Sequence, residues 1–218
     1  MKISPITVSY INHCGSDLSV VDAARVSFNK VSELVNGELS SGDVRLINYL
    51  AKHKHTSPFN HCFLTVRVKA PIFVARQLVK HKFMPWNETS RRYVQDEPEF
   101  YFPDVWRGKA DNVKQGSSNE AVMLPLANYL VDIKNSLGNY QEALDLGCCA
   151  EQARMLLPQN TMTEWVWSGT LGAFCDMLNL RLDSHTQYET RVVAEKISDI
   201  VKDCFPVSHK ALLESKES

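Results

Sequence analysis

The sequence has no hydrophobic run that approaches the roughly 18 residues needed to cross a membrane. Its first residues, Met1 to Ile6, lack the apolar segment of a secretory signal. The 6 cysteines include no Cys-x-x-Cys pair and no spacing typical of a disulfide framework or a zinc site. We therefore expect a cytoplasmic protein whose thiols are reduced and mostly packed.

Several common catalytic and nucleotide-binding motifs are also missing. The chain has no Gly-x-Gly-x-x-Gly, no Gly-Lys-Ser/Thr loop and no Gly-x-Ser-x-Gly sequence, which argues against the standard dinucleotide, triphosphate and serine-hydrolase sites. Charge is nearly balanced, with 24 lysines and arginines against 25 acidic residues. Neither nucleic acid nor a membrane surface is therefore expected as a general partner.

Length and periodicity favour one compact α+β domain over residues 1–218. A chain of this size buries roughly 70% of its unfolded surface, so it needs no disulfides for stability. Glycines at 169 and 172 interrupt one predicted helix and would let another backbone or a flat ligand approach closely. Periodicity and turn residues predict strands at 6–11 and 62–69, a loop at 83–93, a surface excursion at 103–119, and helices at 18–26, 44–54, 72–81, 119–136, 140–155, 161–181 and 187–204.

The strand at 62–69 and the helix at 72–81 are clearly patterned. Apolar side chains alternate with mostly polar ones along the strand, which indicates one buried face. Pro71 ends this strand and can open the next helix. In that helix Gln77, Lys80 and His81 stand at i, i+3 and i+4, so all three side chains would face one ligand.

Positive charge is concentrated just after that helix begins. Between residues 76 and 93 a single acid, Glu88, stands among five cationic side chains: Arg76, Lys80, Lys82, Arg91 and Arg92. Such local charge, in a chain whose net charge is -1, indicates an anionic ligand. Pro85, Asn87 and Ser90 favour a loop positioned by the rigid helix, as is common for binding residues.

Two further arginines, Arg154 and Arg181, stand among apolar neighbours. Burial of a guanidinium costs several kcal/mol unless an anion or hydrogen-bond acceptors compensate for it. Each arginine alone fits an internal ion pair. Together with the cationic segment, they favour a shared anion site.

Three histidines lie close together before the predicted strand: His53, His55 and His61. Apart from the adjacent Cys62 they have no partner at a recognised metal-ligand spacing, so we predict no metal site. A helix end that leads through a turn into a strand explains the same residues. The hydroxyls of Thr56 and Ser57 and free amides of that turn could equally hold a phosphate.

The cationic segment contains a longer motif. Lys80-His81-Lys82 is followed after seven residues by Ser90, within the context Asn87-Glu88-Thr89-Ser90-Arg91-Arg92-Tyr93. This pattern resembles the signature of the flavin-dependent, ThyX-type thymidylate synthases, which is similar to Arg-His-Arg, seven residues and Ser. Other segments resemble that family in the same order across about residues 1–205, namely 23–28, 55–59, 69–77, 157–158 and Leu180-Arg181 with Gln187-x-Glu189.

The resemblance implies an α+β fold of helices packed around a small, mostly antiparallel sheet. It implies conversion of dUMP to dTMP, with methylenetetrahydrofolate as one-carbon donor and NADPH supplying reducing equivalents through bound FAD. It implies no cysteine nucleophile, and no cysteine here has the Pro-Cys-His setting of the cysteine-dependent thymidylate synthases. A homotetramer with active sites shared between subunits is implied as well.

By the same resemblance, dUMP is bound by a defined set of residues: Gln77, Lys80, Glu88, Ser90, Arg91, Arg92, Arg154 and Arg181. Arg181 is implied as a catalytic residue. Its fixed charge beside the uracil ring would favour the ionised ring nitrogen and push electron density toward the attacking carbon. Ser90 is assigned to the catalytic centre as an orienting hydroxyl, since no nearby histidine is positioned as its base.

FAD is implied to contact a second set: Ser27, His55, Ser57, Lys80, His81, Lys82, Glu88, Thr170, Asp176 and His185. The chain departs from the family in two places. Lys80 and Lys82 replace the commoner arginines and lose their planar fork, which predicts weaker flavin retention. Thr170, Gly172 and Asp176 replace residues of an Asn-x-Arg and Asn pattern, so the adenosine half of FAD is expected to be held differently.

Two other functions fit parts of the sequence. The segment from Arg76 to Tyr93 mixes basic and aromatic residues, as nucleic-acid-binding surfaces do, although the basic run is confined to this segment. The second alternative keeps the flavin but lacks thymidylate chemistry, as in an NADPH oxidase-like or degenerate homologue.

Overall fold

The computed structural model describes residues 1–111 and 116–214, which form strands and α-helices in mixed order. The strands are β1 Lys2–Ile3, β2 Thr7–Cys14, β3 Phe63–Pro71, β4 Trp86–Glu88, β5 Glu99–Phe100, β6 Arg107–Lys109, β7 Ser117–Ala121 and β8 Met162–Thr170. The helices are α1 Asp17–Arg25, α2 Ser41–Lys52, α3 Ile72–Leu78, α4 Leu126–Asp145, α5 Ala150–Ala153, α6 Leu171–Arg181, α7 Tyr188–Cys204 and α8 Pro206–Glu214. Residues 112–115 of the predicted surface excursion and 215–218 of the predicted domain lie outside the described residues.

An antiparallel sheet in the order β2-β3-β8-β4 occupies the centre. β3 and β8 pair along their whole length, from Phe63 opposite Thr170 to Pro71 opposite Met162. The apolar side chains of β3 that the sequence pattern placed on one face are fully buried. The predicted α+β class with a small antiparallel sheet is therefore confirmed.

Helices pack against this sheet and close the core. α7 lies against β2, β3 and α6, and buries Val193, Ala194, Ile197 and Val201 on one side. Burial of each branched side chain contributes roughly 1.5–3 kcal/mol to the free energy of folding. α8 begins where the Asp17 carboxylate accepts two backbone N–H groups, which fixes the last helix to the start of α1.

The predicted helix 161–181 is wrong in its first half. Residues Met162–Thr170 form the central strand β8, and α6 begins only at Leu171. Buried Trp165 and Trp167 alternate with half-buried neighbours, which is the period of two that a strand requires. Because β3 and β4 flank β8 on both edges, backbone pairing at a distance decides its conformation.

The predicted bounds of the helices 119–136 and 140–155 are also wrong. A single long helix, α4, covers Leu126–Asp145, and β7 replaces the beginning of the first prediction. The chain leaves α4 at Gly147, whose φ of +86° lies in the left-handed region that favours glycine. The predicted helices 18–26, 44–54 and 187–204 and strands 6–11 and 62–69 are confirmed with shifted ends.

Candidate active site

The cationic segment spans a helix, a turn and an edge strand. α3 follows Pro71 directly and ends at Leu78, before the predicted end at His81. The chain reverses near Phe83, which is exposed and has a φ of +62°. β4 then pairs with β8 inside the predicted loop. Lys80 and His81 therefore lie on the turn after α3, and the prediction that they share a helical face with Gln77 is wrong.

Arg181 lies in the last turn of α6 and points toward this turn. Its Nε atom donates to His81 Nε2 at 3.0 Å, and its Nη2 atom donates to the Gln77 carbonyl at 3.2 Å. The guanidinium is half-buried, and burial lowers its pKa from the usual value. It lines a cavity of about 550 Å³, here called the Arg181 cavity, together with Arg76, Gln77, Lys80, Gly116, Thr186 and Gln187.

The Arg181 contact defines the protonation state of His81. A guanidinium nitrogen can only donate, so His81 Nε2 accepts and the ring proton is on Nδ1. Burial, and after it the charge of Arg181, holds the pKa of His81 below its ordinary value. The histidine is thus a neutral acceptor that orients the arginine.

We expect catalytic activity to fall in acid as His81 is protonated. Its contact with Arg181 is complete above the ordinary pKa of 6.5 and is lost as the pH falls through the lowered pKa of the folded protein. A pH profile of kcat/KM should show this acid limb. The His81→Gln variant retains a neutral acceptor and should lack the limb; an unchanged profile would contradict the assignment.

A second group of residues surrounds a cavity of about 740 Å³, here called the Ser90 cavity. Arg92 donates to Ser90 Oγ from both its backbone nitrogen and its Nε atom, each at 3.3 Å. Glu88 accepts hydrogen bonds from Thr163 Oγ1 at 2.7 Å and Trp86 Nε1 at 3.0 Å. The other predicted substrate residues that line the cavity are Arg91 and Arg154.

Arg154 does not have the buried setting that its apolar neighbours in sequence suggested. It lies on the 3₁₀ turn Arg154–Leu156, is exposed, and donates from Nε to the Glu151 carbonyl at 3.2 Å. Arg92 approaches the Glu151 carboxylate at 3.7 Å. Because it is exposed, the ion pair between Arg92 and Glu151 contributes little to stability. The guanidinium groups of Arg92 and Arg154 can therefore bind an anion instead.

The predicted dUMP residues are thus divided within one chain. Gln77, Lys80 and Arg181 line the Arg181 cavity, whereas the other members line the Ser90 cavity: Glu88, Ser90, Arg91, Arg92 and Arg154. α3 connects the two cavities, since its first residue lines the Ser90 cavity and its last turn lines the Arg181 cavity. Each cavity holds part of the predicted anion site.

The predicted FAD residues lie mainly around α6. Thr170 caps its N-terminus, accepting from the Ala173 N–H and donating to Asn60 Oδ1 at 2.8 Å. Asn60 belongs to the 3₁₀ turn Ser57–His61, which begins at the predicted residue Ser57. Four more predicted residues are exposed on separate segments: Ser27 on the turn Val26–Phe28, His55 before the turn Ser57–His61, Asp176 on α6 and His185 after α6.

Gly169 and Gly172 have close neighbours, but these are side chains and not the backbone or flat ligand that the sequence predicted. A Cβ at Gly172 would lie 2.5 Å from Asn60 Oδ1, and one at Gly169 would lie 3.1 Å from Met84 Cγ. The neighbouring groups are side chains of the same chain. Gly172 therefore lets the turn at Ser57–His61 dock on the first turn of α6.

Sequence reasoning missed several side chains at these cavities. Thr163 holds Glu88, but its segment was predicted to be helical, so its position was not foreseeable. Gln187 and Glu189 stand in the family pattern, which assigns them no role. Thr190, which is fully buried, bonds to Gln77.

The described residues were found to contain neither a metal-binding cluster nor a membrane-spanning helix. Across residues 1–111 and 116–214, no group of three or more His, Cys, Asp or Glu side chains is arranged to hold a metal ion. No helix within those same ranges combines the length and apolar character that a membrane span requires.

A mixed α+β fold that gathers cationic side chains around two cavities is typical of an enzyme acting on an anionic small molecule. The sequence matches the profile of a family described as thymidylate synthase complementing protein, Thy1, over residues 9–207. One relative, a flavin-dependent thymidylate synthase of Thermosipho africanus, is 37% identical over 207 residues, covering 93% of this chain and 89% of the relative. Another of the same description, from Ehrlichia ruminantium, is 39% identical over 215 residues, covering 95% and 70%.

Two solved structures are similar to this chain in fold. A UMP/dUMP methylase, PolB from Streptomyces cacaoi, bound with 5-Br dUMP, superposes with a TM-score of 0.85 at 33% identity, covering 98% of this chain and 97% of that one. The same enzyme bound with 5-Br UMP gives a TM-score of 0.84 at 30% identity, covering 97% and 95%. The chain belongs to the flavin-dependent thymidylate synthase family, a family of dUMP methyltransferases.

Proposed function

We propose that this enzyme methylates dUMP with methylenetetrahydrofolate as one-carbon donor, with FAD as its flavin and NADPH as reductant. The observation that carries the proposal is the pair of cationic cavities joined by α3, one around Arg181 and one around Ser90. Bound FAD would supply the chemistry of hydride transfer, and the protein would orient the reacting groups. An NADPH oxidase-like protein would not need a site for a nucleoside monophosphate in addition to its flavin and NADPH.

The Ser90 cavity is suited to the phosphate of dUMP. Arg92 and Arg154 present exposed guanidinium groups there, and Ser90 adds a hydroxyl. Charge-assisted hydrogen bonds contribute roughly 1.5–3 kcal/mol each, so two or three are enough for micromolar binding of a small nucleotide. Glu88, fixed by Thr163, is positioned to accept a hydrogen bond from the sugar or from the flavin.

Arg181 is the proposed catalytic residue. Because it is half-buried and held by His81 and the Gln77 carbonyl, its charge is directed into the cavity with little reorganisation. That charge would stabilise negative charge on the uracil ring as the ring carbon attacks the one-carbon unit. No thiol is required in this step. Burial raises the pKa of Cys62 to about 11 and that of Cys175 to about 12, so both are protonated near neutral pH.

Two lysines on the turn after α3, Lys80 and Lys82, fit an FAD diphosphate. Across the described residues, neither Lys80 nor Lys82 forms an ion pair, so both ammonium groups are available to an anion. Thr170 and the N-terminus of α6 offer a polar end for the remainder of the cofactor. We assign FAD contacts to these residues and to the rest of the set that the family resemblance implies.

Replacing the two lysines should strengthen flavin binding. We expect the Lys80→Arg, Lys82→Arg double variant to bind FAD about three- to tenfold more tightly than the wild type, because guanidinium binds phosphate through two parallel hydrogen bonds. Titration of the apoprotein with FAD, followed by flavin fluorescence, measures the difference. Equal FAD affinities would show that the lack of arginine at positions 80 and 82 does not limit flavin binding.

Assembly would bring the two cavities together. We propose a homotetramer in which the Ser90 cavity of one subunit faces the Arg181 cavity of another. An exposed apolar stretch supports association, with Val26, Phe28 and Val31 at least 72% exposed. Symmetric pairing would place one subunit's guanidinium groups opposite another's α6. A monomeric mass by light scattering would refute this assembly.

Product formation tests the whole proposal. The purified enzyme, mixed with dUMP, methylenetetrahydrofolate, NADPH and FAD, should form dTMP. Reduced-flavin oxidation without dTMP would favour the oxidase-like alternative. A colourless protein that binds single-stranded nucleic acid and releases no flavin on denaturation would favour the nucleic-acid module.

UMP is a second candidate substrate, because the similar PolB enzyme is described as a UMP/dUMP methylase and was solved with 5-Br UMP. The same assay with UMP in place of dUMP separates the two. Comparable kcat/KM values for both nucleotides would assign the broader activity, and a low value for UMP would restrict the enzyme to the deoxynucleotide.

A further inference from the structure

Four side chains form a continuous hydrogen-bond chain at the wall of the Arg181 cavity, which two of them line. Thr190 Oγ1 donates to Gln77 Oε1 at 3.2 Å, and Gln77 Nε2 donates to Gln187 Oε1. Gln187 Nε2 in turn donates to Glu189 Oε2 at 3.0 Å. The chain therefore runs from a fully buried hydroxyl on α7 to a carboxylate in the first turn of the same helix.

The carboxylate sets the direction of this chain. An ionised carboxylate can only accept hydrogen bonds, so Gln187 must turn its NH₂ group toward Glu189 and its oxygen toward Gln77. Gln77 must then present its NH₂ group to Gln187 and its oxygen to Thr190. The N-terminal end of α7 favours negative charge at Glu189, which keeps the acceptor in place.

The Gln77 Nε2 atom carries two hydrogens, and the hydrogen-bond chain uses one of them. The second hydrogen remains for another acceptor. Gln77 lines the Arg181 cavity, and its own backbone carbonyl accepts from Arg181. An amide that was free to rotate would offer an oxygen to the ligand in half of its orientations. An oriented amide always offers a donor, which suits the phosphate or carbonyl oxygens of a nucleotide.

We propose that Glu189, Gln187 and Thr190 are positioning residues that orient the Gln77 carboxamide as a hydrogen-bond donor for the nucleotide. This inference rests on the proposed function and on the family resemblance, which implies that Gln77 contacts dUMP. Thr190 is fully buried and Glu189 does not line the Arg181 cavity, whereas Gln187 lines it beside Gln77. The three positioning residues act by removing the alternative orientation of Gln77 before the nucleotide arrives, which lowers the cost of binding.

Glu189→Gln is the direct test, because an amide has the size of a carboxylate but can donate as well as accept. On the FAD-loaded enzyme, the dissociation constant for dUMP, measured by isothermal titration calorimetry, should rise about three- to tenfold, corresponding to one lost hydrogen bond. KM for dUMP should rise with it, while kcat at saturating dUMP and the affinity for FAD stay near their wild-type values. Thr190→Val, which removes the donor at the other end, should act in the same direction.

The exchanged double variant, Gln187→Glu with Glu189→Gln, provides a rescue. A carboxylate at position 187 accepts from both neighbours, so Gln77 keeps its orientation and dUMP affinity should return toward that of the wild type. Combining Glu189→Gln with Gln77→Ala should weaken binding no more than Gln77→Ala alone, because Glu189 acts through Gln77. Ser198→Ala, which removes a hydrogen bond to His209 farther along α7, is the matched control and should leave dUMP binding unchanged.

The outcomes separate the inference from the proposed function. A wild-type enzyme that fails to bind dUMP overturns the proposed function and the inference with it. Wild-type binding together with equal affinity in Glu189→Gln overturns the inference alone. Additive losses in the Gln77 and Glu189 double variant, or an exchanged variant as weak as Glu189→Gln, would also overturn it.

Discussion

Replacing Arg181 with Ala should reduce dTMP formation by about a hundred- to a thousandfold, the loss usual for a group that stabilises developing charge in a transition state. FAD affinity should change far less, because the lysines on the turn after α3 and the N-terminus of α6 are untouched. Single-turnover measurement of dTMP and a separate FAD titration distinguish these effects. The reason lies in the geometry: Arg181 is half-buried and held by two acceptors, so its charge acts in a poorly solvated site.

Two further variants sharpen the Arg181 experiment. Arg181→Lys keeps the charge but loses the Nε donor to His81, so intermediate activity is expected. Arg67→Ala removes an arginine that forms an exposed ion pair with Glu164, and it should leave activity and stability nearly unchanged. Equal losses of turnover and FAD binding in Arg181→Ala would mean that Arg181 is structural.

Mixing two inactive variants should restore activity if subunits share active sites. Arg181→Ala damages one cavity and Arg154→Ala damages the other, so a site formed between one subunit of each kind can be intact. In co-expressed mixed oligomers with equal amounts of both chains, roughly a quarter of the sites would combine two undamaged halves. The dTMP rate should therefore rise from near zero to roughly a quarter of the wild-type rate.

The control for this experiment uses two variants in the same cavity. Arg92→Ala and Arg154→Ala both damage the Ser90 cavity, so no mixture of these chains contains an intact site. Their co-expression should leave the rate low. If the first mixture also stayed low while forming mixed oligomers, the complete site would have to lie within one subunit.

The segment from residue 72 to residue 93 illustrates what local pattern can predict. Alternation identified β3, and Pro71 marked the start of α3 correctly. The end of α3 was missed, because the sequence has no capping residue or glycine at Leu78 and the turn that follows depends on the contact between His81 and Arg181. β4 was missed because three residues are too few to establish a period.

β8 was mispredicted for a different reason. Residues 161–181 contain no proline that would mark a boundary. The length of this stretch therefore does not distinguish one long helix from a strand followed by a helix. The boundary is set by Thr170, whose side chain caps α6, and by the pairing of β8 with β3. Its misassignment also concealed Thr163 and therefore the hydrogen bond that holds Glu88.

The sequence by itself determined the family, the α+β class and the chemical types of the candidate residues, because these depend on motifs and periodicity that are local in the chain. Tertiary structure alone decided which of those residues meet. Arg181 reaches His81 across 100 positions of sequence and Gln77 across 104, and Gln77 reaches Thr190 across 113. Such pairings arise from the packing of α7 against both α3 and α6 beside the sheet, and no local pattern encodes a distance between helices.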